Sequence, residues 1–112
     1  MTVWQETIDN NIWIVGVNGR LDQEQTRELE THLTTILNNN HHNIIVDLSE
    51  TNYINSGGLR CLVTAWRIAK QKEGTLSLCG LDERLQEIFA MVGFDRVFSI
   101  YPDLKSAQKA MT

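Results

Sequence analysis

The segment Tyr53-Ile54-Asn55-Ser56-Gly57-Gly58-Leu59-Arg60 separates two hydrophobic rhythms, and its reading decides the fold. Before it, Ile44-Ile45-Val46-Asp47-Leu48 is a short apolar run rich in β-branched residues, the pattern of a buried strand. After it, Leu59, Leu62, Val63 and Trp66 recur at the i, i+3, i+4, i+7 spacing of a helix buried on one face. Strand, junction and helix follow one another within a few residues. Ser56 falls where an N-cap belongs, followed by two glycines that open a helix running from Leu59 to about Lys72. A serine in that place is either a plain cap or a point where charge can be switched on.

Upstream, residues 2–8 and 12–17 read as strands, and Asp9-Asn10-Asn11 between them is turn chemistry that predicts a hairpin. Asn18-Gly19 breaks the pattern, and Arg20-Leu21-Asp22 leads into a polar helix start. Asp22 is expected to cap that helix, its carboxylate accepting from free amides. Leu29, Leu33, Ile36 and Leu37 form its buried stripe, and the polar run Asn38–Asn43 ends it. Ser49–Asn52 reads as a polar connection.

Downstream, Gly74 ends the second helix, and Thr75–Cys79 alternates as a short strand. Asp82 caps a third helix carrying Leu85, Ile88, Phe89 and Val92 inward, closed by Gly93. Phe94–Ile100 suggests a last strand, and Pro102-Asp103 starts a terminal helix with Leu104, Ala107 and Met111 inward. The order ββαβαβαβα predicts an α/β fold. About five strands form a mixed sheet flanked by about four helices, with right-handed crossovers and an antiparallel edge from the hairpin.

A chain of 112 residues with no linker or repeat is expected to form one domain, 1–112. Its net charge of −4 argues against nucleic acid or an anionic membrane as partner. The basic residues read as helix exteriors interleaved with acids, without a stacking stripe. No apolar run reaches the ~20 residues of a membrane span and the first residues lack a signal peptide's regions, so the cytoplasm is the expected location. Cys61 and Cys79 have no metal-type spacing and read as reduced thiols packed as small hydrophobes. His41 and His42 are adjacent, His32 lies on the preceding helix, and no convergent ligand set is expected. Trp4, Trp13 and Trp66 fit inward-facing positions.

Catalytic readings find little support. Ser56 lies on a strand-to-helix elbow, but Ile54 stands where a nucleophile elbow needs its first glycine, and no histidine follows residue 42. Phosphate-loop and dinucleotide glycine patterns are missing from the sequence, and the scattered carboxylates suggest no acid–base pair. No cofactor is expected. Modification of Ser56 is the remaining chemistry. Phosphorylation would add nearly two negative charges at a helix start whose dipole and free amides tolerate an anion. Gly57 and Gly58 leave the amides and an approaching protein surface uncrowded.

Taken together, five segments make the chain recognisable: Val17–Asp22, Ile45–Ser49, Tyr53–Leu59, Gly74–Leu78 and Met91–Phe98. In order and spacing the chain resembles the STAS domain family, specifically the single-domain bacterial anti-sigma factor antagonists. Val17-Asn18-Gly19-Arg20-Leu21-Asp22 is similar to the family's Gly-x-Leu-Asp before the first helix, and Asn55-Ser56-Gly57-Gly58-Leu59 to its Asp-Ser-Ser/Thr/Ala-Gly-Leu. The resemblance implies partner-switching. The unphosphorylated protein binds an anti-sigma factor that is also a serine kinase, phosphorylation at the start of the second helix breaks the complex, and a PPM-type serine phosphatase restores it. Ser56 matches the phosphoacceptor region, and Asp22, Asn55, Ser56, Gly57, Gly58, Leu59 and Arg60 match the partner-binding surface. A monomer is expected for the free protein. Asn55 stands where the family usually has Asp, and Gly57 where it often has a second hydroxyl, so only Ser56 offers one here. Two other readings stand beside this one: an unphosphorylated STAS module in a larger signalling or transport-associated assembly, and a small enzyme with Ser56 as nucleophile.

Overall fold

The sheet's central strands are apolar on one side and, apart from the buried Ser77, largely so on the other, so both faces must be covered. In a computed structural model, which describes residues 2–8 and 11–111, the chain runs β1 (Val3–Ile8), β2 (Ile12–Val17), β3 (Gly19–Leu21), α1 (Gln23–Asn38), β4 (Asn43–Asp47) and β5 (Thr51–Ile54). It continues through α2 (Ser56–Gln71), β6 (Thr75–Cys79), α3 (Glu83–Met91), a 3-10 turn at Phe94–Arg96, β7 (Ile100–Tyr101) and α4 (Leu104–Met111). The main sheet has the order β1-β2-β4-β6-β7; β1 pairs antiparallel with β2, and the other pairings are parallel. The predicted α/β architecture with its antiparallel edge is therefore present. Asp9 and Asn10 of the expected hairpin turn lie outside the described residues, while Ile8 and Ile12 pair across it.

Strand alternation sorts the core into two layers. Val15 and Val17 of β2, Ile44 and Val46 of β4, and Leu76 and Leu78 of β6 meet the buried stripes of α1, α2 and α3. Ile12, Ile14, Ile45 and Cys79 point the other way, onto Ala107 of α4. The α1 stripe is the predicted one, Leu29, Leu33, Ile36 and Leu37. Leu104 and Met111 of α4 are half-buried against the second layer, and so is Trp4; Trp13 and Trp66 are half-buried against the first.

Four expectations need correction. Val92, expected inward, is exposed, because α3 ends at Met91 and Val92 is its C-cap. Residues 19–21, read as the end of a break and the lead into a helix, and residues 51–54, read as the end of a polar connection and the start of the junction, are strands that pair parallel with each other in a separate two-stranded sheet. Gly19 makes this possible at φ +93, and its N–H donates to the Glu50 carbonyl at 2.8 Å. Residues 94–100 are mostly not a strand. The 3-10 turn folds Phe94 back so that it and Phe98 stack edge-on with Phe89, ring centroids 6.1–6.4 Å apart, and only Ile100–Tyr101 joins the sheet. Finally, α2 begins at Ser56, three residues before Leu59. None of the described helices is long and apolar enough to cross a membrane.

Candidate functional site

The small β3–β5 sheet ends where α1 and α2 begin. Leu21 pairs with Ile54, and the Asn55 N–H donates to the Leu21 carbonyl at 3.2 Å. The two helix starts are thereby held side by side. Asp22 and Asn55 line one open, shallow depression with Gln23, Glu24 and Arg27.

The cap of α2 is Asn55, which corrects the expectation for Ser56. Asn55 has extended backbone, its Oδ1 accepts the Gly58 N–H at 2.9 Å, and its carbonyl accepts the Leu59 N–H at 3.1 Å. Both Asn and Ser are good caps, and the residue in extended conformation takes the position. Ser56 is then the first helical residue. It is exposed, and its hydroxyl has no hydrogen bond among the described residues. A cap hydroxyl would be tied to an amide; this one is free for chemistry.

The two glycines differ. A Cβ on Gly57 would meet only Asn55 Oδ1 at 3.4 Å and Arg60 Nη2 at 3.9 Å. A Cβ on Gly58 would fall 2.9 Å from Ile54 Cγ1 and 3.1 Å from the Leu21 side chain. Gly58 is buried, so it serves the seating of α2 on the small sheet rather than a contact surface. Leu59 is half-buried against the main core and Arg60 is exposed.

Asp22 occupies the N-cap position of α1, yet its carboxylate makes no cap hydrogen bond. Instead the Arg20 Nε donates to its Oδ2 at 3.3 Å, and the Arg20 guanidinium carbon lies 4.0 Å from the centre of the Tyr53 ring. Sequence reading missed this Arg20–Tyr53 stack because it depends on the β3–β5 pairing. Arg67, Lys70 and Lys72 at the far end of α2 were readable as a match to the helix dipole, but the lack of any acid along the helix was missed. The segment Ser56–Lys72 carries Arg60, Arg67, Lys70 and Lys72 and no acid, so the interleaving of signs expected for helix exteriors fails there.

Elsewhere the chemistry is quiet. Burial pushes the Cys61 thiol up to about 11, with Glu30 adding to it, and burial with the neighbouring Asp47 pushes Cys79 up to about 12. Both are poor nucleophiles at neutral pH. His32 bonds to Gln5, His41 packs on Trp13, and among the described residues no three His, Cys, Asp or Glu side chains converge as metal ligands. Another open depression, lined by Glu83, Gln86, Glu87, Ala90, Asp95 and Ile100, holds three carboxylates and no candidate nucleophile.

Comparison with known proteins agrees with the fold. The model of the STAS domain matches residues 4–107. BtrV of Bordetella bronchiseptica, provisionally named an anti-sigma factor antagonist, is 28% identical over 110 residues, 98% of this chain and 91% of its own. The anti-sigma-B factor antagonist of Staphylococcus epidermidis is 30% identical over 89 residues, 79% of this chain and 82% of its own. Among solved structures, the phosphorylated form of the Bacillus cell fate determinant SpoIIAA superposes with a TM-score of 0.80 at 14% identity, covering 98% of this chain and 99% of that one.

Proposed function

The chain belongs to the STAS domain family, and on that premise we propose that it is an anti-sigma factor antagonist that works by partner-switching, with Ser56 as its switch. In the unmodified state the protein binds an anti-sigma factor. Its docking surface is the joint end of the two helices: Asp22, Asn55, Ser56, Gly57, Leu59 and Arg60, with Gly58 holding α2 in place beneath them. The anti-sigma factor is itself a serine kinase. It transfers the γ-phosphoryl group of ATP to the Ser56 hydroxyl oxygen, and ADP and a proton leave. A PPM-type phosphatase hydrolyses the ester and restores the binding form.

One observation carries this reading: Asn55 caps α2 and leaves the Ser56 hydroxyl exposed and unbonded among the described residues. A phosphoryl group at the first helical position faces the positive end of the dipole, so the fold accommodates it. The same group would repel and desolvate poorly against a partner pressed onto the site. The names of the relatives and the phosphorylated form of SpoIIAA support the class of partner and the kind of modification.

The test is a pull-down from the organism's own extract with unmodified protein, followed by ATP. The expected result is a retained kinase-type protein that ATP releases, with a gain of one phosphate by mass. Ser56→Ala should bind but resist release, and Ser56→Asp should fold yet bind weakly. Retention that ATP never reverses, with mass unchanged, would instead support a STAS module fixed in a larger assembly.

A further inference from the structure

We propose that Arg60 is the internal counter-ion of a phosphoryl group on Ser56, so that modification captures this side chain as well as adding charge. The inference rests on the reading of Ser56 as phosphoacceptor and assigns the residue that would receive the phosphate. Ser56 and Arg60 are spaced i, i+4 on α2, which places their side chains on one face of the helix. The acid is N-terminal to the base, the favourable order for such a pair. The Arg60 side chain already reaches back over the first turn, with Nη2 3.9 Å from the place a Gly57 Cβ would occupy. Gly57 leaves that path open.

The surrounding charges leave Arg60 available. It has no ion pair among the described residues, and no acid lies on α2 to compete for it. On the neighbouring helix start, Asp22 is taken by Arg20, and Glu24 and Arg27 flank the depression beside Asn55. The cap itself is neutral, because Asn55 supplies an amide oxygen where a carboxylate would repel the phosphoryl group. A guanidinium also matches phosphate oxygens in a two-point fork. In the unmodified protein Arg60 heads the basic outer side of α2, which Arg67 and Lys70 continue. Phosphorylation would thus turn the first of these cations inward and withdraw it from a partner's acidic groups.

Phosphoserine installed at position 56 during translation allows a test without any kinase, so a chain that no kinase modifies would sink the switch reading and leave this measurement intact. The second ionisation of the phosphate is followed by 31P NMR in the intact chain and in Arg60→Gln and Arg67→Gln variants. A nearby cation favours the dianion, so the wild-type phosphate should titrate about 0.2–0.4 unit lower than in Arg60→Gln. Arg67→Gln, two turns further along, should match the wild type, and the difference should shrink at about 1 M salt. Equal values for wild type and Arg60→Gln would overturn the assignment. So would an equal rise in Arg67→Gln, which would mark a diffuse field in place of a local pair.

Discussion

Two helices leave the same small sheet side by side, and they begin in opposite ways. At α1 the cap residue is charged, and its carboxylate turns away from the helix to Arg20. At α2 the cap residue is neutral, and its side chain closes the helix start onto the Gly58 amide. Asp82 of α3 shows that an aspartate can do the same in this chain, accepting from the Leu85 N–H at 2.8 Å. Residue type therefore does not decide whether a cap is closed; the neighbours do. Arg20, presented by β3 two residues before Asp22, draws its side chain outward and leaves a surface charge at the site. Asn55 turns inward and leaves a free hydroxyl beside it.

The comparison can be broken most severely from beneath. Leu21 is fully buried and packs under the α2 start, so Leu21→Ala should cost about 2–5 kcal/mol by urea unfolding. Both helix starts should lose their relative placement with it. Next in size is the contrast between adjacent glycines. Gly58→Ala should lose about 1–3 kcal/mol, because its Cβ meets Ile54 and Leu21, while Gly57→Ala should be neutral or stabilising. Equal costs at the two positions would contradict the seating described for α2. A smaller contrast separates the caps themselves. Asn55→Ala should cost about 1 kcal/mol, and Asp22→Ala at most about 0.5 kcal/mol, since an exposed ion pair contributes little. Asp22→Ala should nonetheless weaken partner capture. The finest test is Asn55→Asp, which keeps the cap and should change unmodified stability by only a few tenths of a kcal/mol, about the scale of a charge at a helix end. With phosphoserine at position 56 the same variant should be less stable than its parent, as measured by thermal unfolding.

Long, periodic features were legible in the sequence. The stripe of α1, the continuous apolar run Ile44–Val46 and the alternating Thr75–Cys79 identify a buried sheet and the helix that covers it from residue pattern alone. Features that exist only through pairing were not. β3 and β5 have three and four residues, too few to display a period, and Arg20 and Asn52 give them a polar look. Their hydrogen bonds lie between residues about 30 apart in sequence, a separation no local pattern records. The start of α2 was displaced because Ser56 and Asn55 are both good caps and the apolar period begins only at Leu59, whereas packing at Gly58 seats the first turn on the small sheet. The segment after Gly93 has strand composition, yet its aromatics are drawn into a cluster around Phe89 that a strand could not reach. At the site, the position of Ser56 was readable and its freedom was not, since the choice between two good capping residues depends on which one holds the extended backbone.

The two-layered core gives the protein a pair of built-in clocks. Cys61 lies beneath the α1–α2 contact, near Leu33 and Leu37, and Cys79 lies on the opposite layer, beneath α4. Neither thiol reacts while covered, so each labels only when its own helix layer opens. The eight residues of α4 bury little besides Ala107, whereas α1 and α2 each span sixteen residues and lock many buried side chains together. Cys79 should therefore be alkylated faster than Cys61 in native buffer, although it is the less exposed of the two in the closed fold at 0% against 8%. Peptide mapping after timed alkylation would read the two rates from one sample. If a partner docks on the helix ends, it should slow the Cys61 clock and leave the Cys79 clock running.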